Sequence, residues 1–112
     1  MVATAADLDK IISRFIALLS KAARVEAVIL YGSYVNGSPD EWSDIDIAVI
    51  SPDFEELAMW ERQRIISRAT VDRDASLAPI GYSSSEYHNP GPHSFLREII
   101  RTGRVVYQAP AE

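Results

Sequence analysis

Apolar and polar positions along this chain change period several times, and each change marks a boundary between elements. Leu8, Ile11, Ile12, Phe15, Ile16 and Leu19 recur at helical spacing, with Lys10, Arg14 and Lys21 at other positions, which predicts an amphipathic helix burying one face. After Arg24 that period is lost. Val25, Ala27, Val28, Ile29, Leu30 and Tyr31 form a mostly apolar, β-branched run, too short for another helix and expected to be a central strand. Gly32 ends it, Ser33 to Asn36 has room for a short helical turn, and Gly37-Ser38-Pro39-Asp40 is turn chemistry. From Asp44 to Ile50 strict alternation puts Ile45, Ile47 and Val49 on one face and Asp44, Asp46 and Ala48 on the other, so one face is expected to be core and the other site.

Ser51-Pro52-Asp53 reads as a helix start continued by Phe54 to Thr70, with its end near Arg68 and Leu57, Trp60, Ile65 and Ile66 as buried positions. A third strand is expected from about Ala75 to Tyr82, pushed to the sheet edge by Pro79. Ser83 to Glu86 and Asn89 to Pro92 read as loop. Phe95, Leu96, Ile99 and Ile100 give a last helix stopped by Gly103, and Val105-Val106-Tyr107 adds a short strand. No internal repeat or low-complexity segment interrupts this order. The expectation is a single α/β domain over 1–112, a mixed sheet with helices packed on it.

Composition narrows the function classes. At 112 residues the chain is long enough for one core and short for a two-lobed enzyme. A net charge of -5 argues against a broad groove tracking nucleic-acid phosphates, so nucleic acid is not expected as a direct substrate. The absence of cysteine excludes disulfides and thiolate metal ligands and fits a reducing cytoplasm. Met1 to Asp9 carries acids and no positively charged leader, and no apolar run approaches the ~20 residues of a membrane span. A soluble cytoplasmic protein without membrane contact is expected.

The chemistry concentrates between Gly32 and Asp46. Two carboxylates one residue apart on a strand, Asp44 and Asp46, share a face with Cα atoms about 6.6 Å apart, which suits a shared divalent cation. Ten residues upstream, Gly32-Ser33 opens a turn whose backbone N–H groups and hydroxyl can meet phosphate oxygens. Gly32 leaves room for the phosphate, and Gly37 permits the turn that carries the loop back. Together these features read as a nucleotide site.

Tyr31-Gly32-Ser33-Tyr34-Val35-Asn36-Gly37, followed after six residues by Asp44-Ile45-Asp46, resembles the Gly-Ser, ten residues, Asp-x-Asp signature of the polymerase-β-like nucleotidyltransferases. The small size is similar to their minimal (MNT) branch. The motif covers Gly32 to Asp46, while the order of elements matches that fold over most of the chain. The resemblance implies ATP as donor, Mg²⁺ as cofactor, and transfer of AMP to an acceptor with release of pyrophosphate. It places Mg²⁺ on Asp44 and Asp46 and phosphate on Gly32, Ser33 and Gly37. Active members of the fold use a third acid for metal binding or proton abstraction. Asp74 has the strand parity for that catalytic and metal-binding role, and Asp72 competes with it. Small relatives carry an acid just before the strand proline, where this chain has Ala78-Pro79.

Many minimal members are antitoxins of HEPN/MNT pairs, some adenylylating a tyrosine of the HEPN ribonuclease toxin, so a protein partner of that kind is implied. The alternative is a non-catalytic antitoxin that neutralises its partner by contact around a vestigial nucleotide site. A homo-oligomer is left open. Other polar features have ordinary readings. His88 and His93 are surface histidines without further ligands. Arg97, Arg101 and Arg104 are a solvated face near a helix end. Glu61-Arg62-Gln63-Arg64 is an exposed helical face, and Tyr34 and Trp42 cover core.

Overall fold

The structure, a computed structural model, describes residues 3–70 and 76–110. Helix α1 (Ala5–Leu19) begins at a reciprocal cap: Asp7 N–H donates to Thr4 Oγ1 at 3.1 Å and Thr4 N–H donates to Asp7 Oδ2 at 3.0 Å. The cap satisfies donors that a helix start leaves free. Leu8, Ile11, Ile12, Phe15 and Leu19 are the buried face. The chain continues through β1 (Ala27–Tyr31), the short helix α2 (Ser33–Asn36), β2 (Ile45–Ser51) and a 3-10 turn (Pro52–Phe54). Then come α3 (Met59–Ser67), β3 (Leu77–Ser83), α4 (Ser84–His88), α5 (Phe95–Thr102) and β4 (Arg104–Gln108).

The four strands form one mixed sheet in the order β3-β2-β1-β4, with β1 antiparallel to both β2 and β4, and β2 parallel to β3. The central strand and the edge position of the proline-bearing strand are as expected. Both faces are covered. Val28, Leu30, Ile45, Ile47 and Val49 pack with α1 residues, Phe54 and Ile66 on one face. Ala27, Ile29, Ala48, Ile50 and Tyr82 pack with Leu96 and Ile99 of α5 on the other. The division into a core face and a site face is therefore corrected. The face bearing the acids becomes core from Ala48 onward, and only its mouth remains available to a ligand.

Other expectations are revised. The segment read as one helix over 54–70 is broken: Pro52 and Asp53 open a 3-10 turn, and α3 begins afresh at Met59 with Ala58 N–H donating to Glu61 Oε1 at 2.9 Å. The break rotates Trp60 outwards, so it is 67% exposed rather than buried. Ile66 is fully buried, and Leu57 and Ile65 pack partly against the core. Ser83 to Glu86 is not loop, because Ser83 caps α4: its Oγ accepts from Glu86 N–H, while Glu86 Oε1 accepts from Ser83 N–H. Trp42 covers no core, being 84% exposed, whereas Tyr34 does pack against it.

The Glu61 to Arg64 run is also not simply an exposed face. Arg62 is buried, donating to Leu57 O at 3.1 Å and Gly81 O at 3.2 Å and pairing with Glu86 at 2.7 Å. Gln63 donates to Pro79 O at 2.9 Å and accepts from Gly81 N–H at 3.1 Å. Helix α3 thereby closes the outer edge of β3, where proline leaves no donor and an open edge would invite pairing with another chain. Arg62→Met is expected to lower the unfolding free energy by about 2 kcal/mol, since it strands a buried carbonyl and removes an ion pair; urea denaturation of the two proteins measures this.

Candidate nucleotide and metal site

The antiparallel register places Tyr31 of β1 opposite Asp46 of β2, and the parallel register places Ala78 of β3 beside Asp46 on its other side. Asp44 precedes β2 and is exposed, while Asp46 is half-buried. Gly32 leaves β1 at φ 79°, ψ -150°, a conformation that only glycine adopts readily. A Cβ at Gly32 would stand 2.4 Å from Asp46 Oδ2. The carboxylate thus lies directly against the backbone that begins the Gly32-Ser33 turn. Gly37 does not need a positive φ; its N–H caps α2 on Ser33 O at 3.2 Å. Within α2, Val35 and Asn36 N–H donate to Gly32 O at 3.0 and 2.9 Å, leaving the N–H groups of Ser33 and Tyr34 ahead of the first intrahelical bonds.

Burial, and then the charge of Asp44, raise the pKa of Asp46 above the ordinary aspartate value of 3.8. Tyr31 is pushed up to about 12, by burial first and then by Asp46 and Tyr82. Two carboxylates whose charges oppose each other form a site that a cation would relieve. Their oxygen donors suit Mg²⁺, which joins one or two carboxylates to substrate phosphates. Asp44 and Asp46 would hold it, with substrate phosphates on the Gly32-Ser33 turn. Among the described residues no group of three His, Cys, Asp or Glu side chains comes together to hold a metal ion.

Of the residues singled out from the sequence, Gly32, Ser33, Gly37, Asp44 and Asp46 converge on one end of the sheet. Asp74 and its competitor Asp72 lie outside the described residues. His88 is exposed and pairs with Glu26 at 2.5 Å, away from the acid pair at the opposite end of β1. Tyr31 is a neighbour of the acids that the sequence pattern alone does not single out. Its signal was present, since it is the last strand residue before the glycine, but only the register shows that it faces Asp46.

This fold and this motif geometry define a nucleotidyltransferase domain. Residues 13–112 match the family described as Polymerase beta, Nucleotidyltransferase, and the chain belongs to it. Two relatives from Methanocaldococcus jannaschii are each named "putative protein adenylyltransferase". One is 31% identical over 102 residues, covering 88% of this chain and 97% of the relative. The other is 35% identical over 65 residues, covering 55% of this chain and 64% of the relative. A crystal structure of a "putative nucleotidyltransferase" from Sulfolobus solfataricus shares the fold with a TM-score of 0.67 at 17% identity, over 89% of this chain and 79% of that one.

Because the folded pKa of Asp46 lies above its unfolded value, the native state binds more protons in the window between the two. Stability therefore falls as pH rises through that window, and the loss is complete above the folded pKa. Asp46→Asn is expected to unfold at a higher temperature than the parent protein at pH 7 in chelator-treated buffer. The difference should shrink as pH falls towards 3.8, the unfolded value; thermal melts across pH read both effects. Gly32→Ala should destabilise by about 2 kcal/mol or more, from strain combined with overlap on Asp46, as chemical denaturation would measure.

Proposed function

We propose that this chain is an ATP- and Mg²⁺-dependent nucleotidyltransferase that moves AMP onto a hydroxyl of a protein partner, and that it acts as the antitoxin of a HEPN-type ribonuclease. The observation that carries the reading is the contact of Asp46 with the Gly32 backbone, which sets a carboxylate two residues from Asp44 against the Gly32-Ser33 turn. The names of the two archaeal relatives support a protein acceptor. The antitoxin role rests on the likeness to minimal HEPN-paired members of the family.

In the proposed reaction the acceptor oxygen bonds to the α-phosphorus of ATP and the bond to the β-phosphate bridge breaks. Pyrophosphate leaves and the acceptor proton is released. Bound Mg²⁺ would neutralise charge on the phosphates. The Gly32-Ser33 turn holds the terminal phosphates through backbone N–H groups and the Ser33 hydroxyl. Asp44 and Asp46 fix the cation side of the complex. The Asp74 carboxylate is the proposed general base that takes the acceptor proton.

One observation favours a second reading. The position beside Asp46 on β3 holds Ala78, so the neighbouring strand contributes a methyl group where a third carboxylate would join the pair. A contact antitoxin with a vestigial nucleotide site would need no acid there. Incubation with α-labelled ATP, Mg²⁺ and the co-purifying partner separates the two. Transfer predicts label on the partner, reduced by about 10²-fold or more in Asp44→Asn. Neutralisation of the partner by Asp44→Asn at full strength and without label would favour the contact reading.

A further inference from the structure

Asp46 shares its strand parity with Ala48 and Ile50, which pack against α5, and one aromatic ring of that helix is left in water. Phe95, the first residue of α5, is 58% exposed. Its ring meets Tyr31 edge-on, with centroids 5.7 Å apart and planes at 82°, and Tyr31 stands opposite Asp46. The far end of α5 is tied to the phosphate turn, since Asn36 Nδ2 donates to Thr102 O at 3.2 Å. The helix thus reaches from the flank of the acid pair to the end of α2. Beside Phe95 lies a cavity of about 590 Å³ whose lining includes Pro92, His93 and Arg97, within the size range of small-molecule sites. Glu98 and Arg101, which also border it, neutralise each other through a 2.5 Å ion pair. Arg97 has no ion-pair partner among the described residues.

We propose that Phe95, with Arg97 beside it, is the surface on which the nucleobase of the donor nucleotide stacks. This rests on the reading of Asp44, Asp46 and Gly32-Ser33 as the site of its metal and phosphates. The chemistry favours a base over a second phosphate site, because one unpaired cation beside an open aromatic ring suits a planar π-system better than a polyanion. It also assigns a task to an apolar ring that is more than half exposed and meets Tyr31 through an edge contact. A site of this kind confers affinity with little discrimination among bases, since every base presents a π-face.

The test is calorimetric titration of the full chain with Mg-ATP and, separately, with Mg-tripolyphosphate, which has the phosphates and no base. Phe95→Ala is expected to weaken Mg-ATP binding about 10-fold while changing tripolyphosphate binding by less than about 2-fold, and Phe95→Trp to keep the ATP affinity of the parent. Unchanged ATP affinity in Phe95→Ala, or equal losses for both ligands, would overturn the base site while leaving the phosphate and metal reading intact. A parent protein that binds neither ligand would overturn both. Circular dichroism melts of the variants identify any loss that comes from unfolding.

Discussion

Strand β1 ends where Gly32 turns at positive φ with the Asp46 carboxylate resting on its backbone, too close for even a methyl group. The whole site depends on that contact. It requires glycine, it sits beside the antiparallel pairing of Tyr31 with Asp46 at the sheet's end, and α2 starts at the next residue. Any side chain at position 32 would separate the acid from the turn. The backbone proposed to bind phosphate and the carboxylate proposed to bind the cation could then no longer serve one ligand.

The sheet meets this constraint by dividing one of its faces. Its inner length, from Ala48 and Ala27 onward, is closed by Leu96 and Ile99 of α5. Its mouth keeps Asp46, whose partial burial and exposure to the charge of Asp44 work against the folded state. Such an arrangement persists because the rest of the sheet is well supported. The opposite face buries Phe15, Phe54, Leu19 and Ile66, and α3 closes the β3 edge through Arg62 and Gln63. Stability is concentrated away from the mouth, where function needs charge in partial burial.

Much of this was legible in the residues themselves. Periodicity identified α1, the alternation identified β2, and Pro79 placed β3 at an edge, because each of these is a local rule with one dominant cause. The Gly-Ser and Asp-x-Asp spacing singled out, for the same reason, residues that the fold brings together at one end of the sheet. What escaped depended on tertiary contacts. The interruption between Phe54 and Met59 exposes Trp60 although its apolar character suggested burial. Arg62 is buried because Gly81 O and Glu86 converge on it from segments 19 and 24 residues away. Tyr31 joins the site only through cross-strand register, and Ala78 gains its meaning only from lying beside Asp46.

The chemistry reduces to whether two carboxylates and a glycine turn hold a nucleotide through a divalent cation. Mn²⁺ provides the most direct probe, because it accepts the same oxygen ligands as Mg²⁺ and scatters X-rays anomalously. In crystals grown with Mn²⁺ and a non-hydrolysable ATP analogue, the account predicts an anomalous peak ligated by Asp44 and Asp46, with the triphosphate on the Gly32-Ser33 turn. Triphosphate bound elsewhere, or manganese that avoids both carboxylates, would contradict it.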